Sequence, residues 1–166
     1  MTSGHAWNHH NFSVPPERLQ LVEACFDALF PWEKFVAKPE LLGYRMGEDF
    51  NRGALYVRPT MAARAVGEAL TRHPDVAAAL ADLDAIDADW NDHTGFLVSS
   101  VTEWEERLAI ARRLVHERPE FGIRVVDVRR PGDARAQTAY LYQAFIRVGL
   151  LGPLRNTFEM QAIGRP

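Results

Sequence analysis

Two histidines stand at matching places in two separated stretches of the chain. His9 lies in WNHHNFSV (7–14), five residues before Val14, and His93 lies in WNDHTGFLV (90–98), five before Val98. Each follows an Asn or Asp, and each has a tryptophan nearby, Trp7 or Trp90. Neutral imidazole is the commonest metal ligand among side chains. Two of them at equivalent positions of a repeat point to a metal more strongly than either does alone. In a strand, His10 would face away from His9, whereas Asn11 and Ser13 would share its face and could hydrogen-bond a substrate. A second chemical group is cationic. Of 19 cations, all but Lys34 and Lys38 are Arg. Arg58, Arg147 and Arg155 fall on or beside strand candidates, where a guanidinium could grip a carboxylate through two parallel bonds.

The elements that must position these residues read as two similar halves. Residues 7–14 alternate as a strand, with Phe12 and Val14 against Asn11 and Ser13. Pro15-Pro16 opens a helix, in which Leu19, Val22, Phe26, Leu29 and Phe30 recur at helical spacing. Strand candidates follow at 33–38, 41–47 and 54–58, punctuated by Gly43, Gly47 and Gly53. The second half repeats the order. Residues 90–98 read as a strand, and Ser100-x-x-Glu103 is a capping box. Trp104, Leu108, Ala111 and Val115 form a helical stripe. Strands are expected at 123–128, 139–148 and 156–162, with RVGLLGP marking the last hairpin. Residues 61–86 between the halves are alanine-rich and helical, broken at His73-Pro74, and serve as a connector or a lid. The expected order is β-α-β-β-β, connector, β-α-β-β-β. The expected organisation is a single domain over 1–166, with module one at 5–59, a helical connector at 60–89 and module two at 90–166.

Composition removes several classes. A chain of 166 residues with 47% hydrophobic and 25% charged residues has an ordinary globular balance and buries enough surface to fold without staples. The net charge of −3 carries no basic footprint for nucleic acid. One cysteine, Cys25, forms no internal disulfide. No apolar run reaches the length of a membrane span. The first ten residues lack the blocks of a signal peptide, so a cytoplasmic protein without a membrane partner is expected.

With HHNFSV at 9–14, HTGFLV at 93–98 and NTFEMQ at 156–161, the chain resembles the vicinal-oxygen-chelate superfamily. That superfamily includes glyoxalases, extradiol dioxygenases, fosfomycin-resistance proteins and bleomycin-binding proteins. The resemblance spans nearly the whole chain but rests on topology and these three patches. It implies an α+β fold in which two βαβββ modules form facing curved mixed sheets around a metal site. It also implies ligands from the first and last strands of the modules, here His9, His93 and Glu159. Two imidazoles and one carboxylate make a facial triad that suits Fe(II), with Mn(II) or another divalent metal as the alternative, and leaves positions open for a chelating substrate and dioxygen. Glu159 alternates with Thr157 and Gln161, so all three could line the same cavity.

Four-ligand glyoxalases and epimerases carry a Glu or Gln in the last strand of the first module. Here that strand is GALYVRP (53–59), with Tyr56 and Arg58 and no acid or amide. The three-ligand pattern favours extradiol dioxygenases or the fosfomycin type; in its general look, length and Arg-rich composition the chain resembles small single-domain extradiol dioxygenases, among them the L-DOPA 2,3-dioxygenases of antibiotic pathways. That resemblance implies an Fe(II)-dependent enzyme that opens a catechol ring beside its diol, with catechol and dioxygen as partners and a homodimer as the default assembly. Such enzymes need a proton shuttle; Tyr140, Tyr142 and His10 are the candidates. Two other readings stand beside this one. One is a glyoxalase-like isomerase or lyase using another divalent ion. The other is a metal-free protein that binds an antibiotic in an aromatic groove.

Overall fold

The computed structural model describes residues 9–45, 53–86, 88, 92–152 and 156–164. Trp7, Trp90, Gly47 and Arg155 lie outside the described residues. The chain divides into two compact units, residues 1–66 and 67–166.

In the first unit, β1 (His9–Val14) leads through a 3-10 turn at Pro16–Arg18 into α1 (Leu19–Leu29). Pro16 suits that first turn because it has no N–H to leave unpaired. Three strands follow, β2 (Glu33–Lys38), β3 (Leu41–Arg45) and β4 (Ala54–Pro59). They build a four-stranded mixed sheet in the order β1-β4-β3-β2, with β1 parallel to β4 and the other pairs antiparallel. The parallel pair requires a crossover, which α1 and the β2–β3 hairpin supply. The helical stripe expected from the sequence is the buried one: Leu19, Val22, Cys25, Phe26 and Leu29. It packs on a sheet face made of Phe12, Val14, Leu42, Tyr44, Leu55 and Val57, all buried. Aromatic edges lock this core. Phe26 meets Tyr44 at 5.5 Å and Trp32 at 5.7 Å, and Phe30 stacks on Trp32 at 4.0 Å.

Two helices follow, α2 (Met61–Arg72) and α3 (Pro74–Ala85), parted at His73 as the His-Pro dipeptide predicts. No helix among the described residues is long and apolar enough to cross a membrane.

In the second unit, β5 (His93–Leu97) precedes α4 (Val101–Glu117), a 3-10 turn at Pro119–Phe121, β6 (Ile123–Arg129), β7 (Leu141–Val148), a turn at Gly149–Leu151 and β8 (Thr157–Ile163). Its sheet has the order β5-β8-β7-β6, with β5 parallel to β8. This is the first sheet's topology strand for strand. Ser100 caps α4, its Oγ accepting from the Glu103 N–H at 3.1 Å. The Glu103 carboxylate reaches one residue further than a capping box predicts: it accepts from the Ser99 N–H at 2.9 Å and the Ser99 hydroxyl at 2.6 Å. Trp104 is fully buried under α4, and its indole N–H donates to the Met160 carbonyl at 3.0 Å. Gly122 ends the turn after α4 at φ +62°, where a Cβ would stand 3.3 Å from the Gly149 backbone.

The repetition extends to an irregularity. The β2–β3 register shifts between Lys34 and Val36, and the β6–β7 register shifts between Val125 and Asp127. In each sheet the strand after the helix carries the same bulge. Residues can therefore be matched between modules, because His9 pairs with Ala54 where His93 pairs with Thr157.

Candidate metal centre

Each sheet has one face covered by its helix. In the first sheet, the opposite face takes every second residue of β1: His9, Asn11 and Ser13, all exposed. Directly across on β4 lie Ala54, Tyr56 and Arg58. His9 stands edge-on to Tyr56, with ring centroids 5.7 Å apart. Four of the predicted site residues, His9, Asn11, Ser13 and Arg58, thus share one face. His10 does not. It pairs with Leu55 on the helix side, half-buried, with its ring 4.4 Å from Phe12.

In the second sheet the face opposite α4 is polar, buried along β7 and most of β8 and exposed along β5. β8 contributes Thr157, Glu159 and Gln161; β7 contributes Gln143, Phe145 and Arg147; β5 contributes His93 and Gly95. His93 Nε2 lies 3.3 Å from Glu159 Oε2. Glu159 is 5% exposed. Its other oxygen, Oε1, accepts from the Gln143 amide at 2.6 Å and the Gln161 amide at 2.7 Å. One carboxylate oxygen is therefore tied to two neutral donors, and the other is turned toward an imidazole. The His93 ring is held edge-on against Phe145 at 5.7 Å. Gly95 sits beside the carboxylate, where a Cβ would approach Glu159 Oε2 to 3.4 Å. Arg147, 2% exposed, extends along the same face and donates from Nε to Thr157 Oγ1 at 3.2 Å.

The donor set fits a divalent ion. Imidazole and carboxylate are borderline-to-hard ligands of the kind Fe(II) and Mn(II) take. A ligating carboxylate is ordinarily fixed by outer hydrogen bonds, as Glu159 is here. Among the described residues, no group of three or more His, Cys, Asp and Glu side chains is gathered that could hold an ion. His93 and Glu159 are the part of the expected triad that lies within one unit; His9 belongs to the other.

The tyrosines expected to move protons lie elsewhere. Tyr142 faces α4, its ring 5.5 Å from Trp104. Tyr140 precedes β7, is exposed, and accepts at its carbonyl from the Gly164 N–H. Gln143 and Tyr56 were not singled out from the sequence as parts of the site. Gln143 is a polar residue inside the apolar run AYLYQAFIRV, two positions from Phe145 and four from Arg147. That placement alone was the available signal.

No protein-family model matches the sequence, and no curated protein matches it significantly. Solved structures do match. A glyoxalase/bleomycin resistance protein/dioxygenase family enzyme from Burkholderia phytofirmans PsJN is similar at 13% identity and a TM-score of 0.51, over 96% of this chain and 99% of that one. A glyoxalase/bleomycin resistance protein/dioxygenase from Alicyclobacillus acidocaldarius is similar at 10% identity and a TM-score of 0.52, over 98% and 95%. The fosfomycin resistance protein FosX from Mesorhizobium loti is similar at 12% identity and a TM-score of 0.50, over 98% and 93%. Likeness at such identity is likeness of fold, and it agrees with the strand order, the crossover and the duplicated bulge: this chain has the vicinal-oxygen-chelate fold, built from two βαβββ modules.

Proposed function

We propose that the protein is a divalent-metal-dependent enzyme, with His9, His93 and Glu159 as ligands, that cleaves a catechol ring beside its diol with Fe(II) and dioxygen. The observation that carries this reading is the carboxylate of Glu159. It is buried, held at one oxygen by two amides, and aimed by the other at His93. A carboxylate buried without a cation is costly, and amide donors offset part of that cost without neutralising the charge. Bound Fe(II) would supply a template for both catechol oxygens and a path for electrons to dioxygen.

The chain's own residues do the rest. Phe145, fully buried between Gln143 and Arg147, keeps water from the floor of the site. Arg147 offers a buried guanidinium to an acidic group on the substrate. Tyr56, half-buried on the face of His9, is the phenol we assign to exchange a proton with a ligand. The matched position of Tyr56 and Glu159 in the two modules supports three protein ligands rather than four.

The decisive experiment is anaerobic loading with Fe(II), then addition of L-DOPA or another catechol with oxygen, following visible absorbance and oxygen uptake together. A yellow product formed with matched oxygen consumption is the expected result. Bound iron with neither colour nor uptake for any catechol overturns ring cleavage. One observation favours a second reading, an isomerase- or lyase-type reaction with another divalent ion: His10, Tyr140 and Tyr142 all lie off the faces that carry His9 and Glu159. Activity with Ni(II), Co(II) or Zn(II) and no oxygen uptake would establish it.

A further inference from the structure

The bulge in β2 delivers an aromatic ring to the open face of the first sheet. Phe35 is the residue that the bulge adds, between Lys34, which pairs with Tyr44, and Val36, which pairs with Gly43. Gly43 pairs in turn with Tyr56, and Tyr56 with Asn11, so these three form one row across β3, β4 and β1 on the face opposite α1. The Phe35 ring lies over that row. A Cβ on Gly43 would stand 2.9 Å from Phe35 Cζ and 3.0 Å from Val36 Cγ1. Gly43 is not among the glycines with positive φ, so its backbone does not require a glycine; the ring above it does. Phe35 meets Tyr56 with ring centroids 5.9 Å apart and planes at 79°, and Tyr56 meets His9 edge-on at 5.7 Å.

The second sheet reaches a like arrangement by another route. There the bulge adds Val126, exposed and aliphatic. The residue that matches Gly43 is Phe145, which pairs with Glu159 as Gly43 pairs with Tyr56. A phenylalanine ring thus stands beside Tyr56 and beside Glu159, taken from the bulge in one module and from the strand in the other. The two rings differ in access. Phe145 is fully buried, whereas Phe35 and Tyr56 are both half-buried on a face whose β1 residues are exposed. A ligand can reach Phe35 and Tyr56. Two rings near right angles make a corner, and a flat ring laid against one meets the other edge-on, which is the arrangement aromatic groups prefer. An aliphatic group gains no such term from the same corner.

We propose that Phe35 is a specificity-determining residue: with Tyr56 it forms an aromatic corner that takes a flat ring of the substrate, on the face that carries His9. The substrate class is thereby a chelating group borne directly on an aromatic ring. This rests on the metal-site reading above and deepens it.

The test uses two chelators with one head group, benzohydroxamate, which carries it on a ring, and acetohydroxamate, which carries it on a methyl group. Mn(II) uptake is followed first by electron paramagnetic resonance, in wild type and in Phe35→Leu, which keeps an apolar side chain and removes the ring. Each chelator is then titrated calorimetrically at saturating Mn(II). Wild type is expected to bind benzohydroxamate more tightly than acetohydroxamate. F35L is expected to take up Mn(II) as wild type does, to lose about threefold to tenfold in benzohydroxamate affinity, and to bind acetohydroxamate unchanged. Equal wild-type affinity for the two chelators, unchanged benzohydroxamate binding in F35L, equal loss of both chelators, or loss of Mn(II) uptake in F35L overturns the aromatic corner and leaves the metal site standing. Wild-type protein that takes up no Mn(II) overturns the metal-site reading itself and this inference with it. If F35L does not fold by circular dichroism, Phe35→Met is read by the same criteria.

Discussion

Tyr56 occupies in the first sheet the place that Glu159 occupies in the second. Each lies two residues along its strand from the partner of the repeated histidine, Ala54 for His9 and Thr157 for His93. The duplicated modules therefore present one carboxylate and one phenol where a symmetric pair would present two acids. On the proposed reading, Glu159 holds the metal and Tyr56 handles the proton. Tyr56→Phe is expected to leave Mn(II) affinity unchanged and to lower turnover by about a hundredfold or more, the ordinary worth of a positioned acid–base group. Metal titration and steady-state rates on one preparation check both halves.

Glu159→Gln keeps the shape of the side chain and removes its charge; His93→Ala removes the imidazole. Both are expected to reduce Mn(II) affinity by more than the ~10–100-fold that losing an outer hydrogen-bond partner costs. Isothermal titration with Mn(II) measures it. Full retention of metal in either variant rejects that residue as a ligand.

Arg147 should discriminate between substrates by charge. Arg147→Met is expected to raise KM for a catechol bearing a carboxylate by about 10–100-fold, the worth of a charge-assisted pair. Little change is expected for 4-methylcatechol. Parallel loss on both substrates would place Arg147 in the scaffold through Thr157 instead.

Trp104 joins α4 to β8 through one hydrogen bond and a fully buried ring. Trp104→Phe should cost about 2–3 kcal/mol, from the Met160 carbonyl left without its donor and the volume lost. Denaturant unfolding followed by circular dichroism reads this directly.

At the start of α4, the Ser99 hydroxyl bonded to Glu103 holds that carboxyl below its ordinary 4.5. A lowered folded-state pKa contributes stability above the ordinary value, and that stability is lost as pH falls through the folded value. The unfolding free energy should therefore drop below about pH 4.5 with a component that Glu103→Gln removes. Ser100→Ala should cost about 1 kcal/mol at any of these pH values, because its bond is to a backbone N–H.

Local chemistry made much of this fold readable. The boundary at His73 follows from the steric demand of Pro74, and β2 emerges at Glu33–Lys38 as expected. Alternation in β1 separated His9 from His10, because Phe12 and Val14 mark the helix side. The same reasoning had less purchase on β7. Gln143 and Arg147 alternate there with Ala144, Ile146 and Val148, but the aromatics Tyr142 and Phe145 suit either face, and the pairing with β8 puts Tyr142 on the α4 side. Gln143 acquires its meaning across the sheet, from Glu159 and Gln161 some sixteen residues away in sequence. The capping box was legible to within one residue, since the reach of a glutamate side chain covers both Ser99 and Ser100.

The bulge in β6 acts as a parity switch. Before it, Ile123 and Val125 pair with Val148 and Ile146 on the α4 side; after it, Asp127 and Arg129 pair with Phe145 and Gln143 on the polar side. Odd-numbered positions thus change allegiance at Val126. The corresponding step in β2 puts Lys34 with Asp27 and Glu23 of α1, and Val36 on the other face. Uninterrupted alternation of the same sequence would turn Asp127 and Arg129 toward the hydrophobic layer; the extra residue keeps both on the polar face.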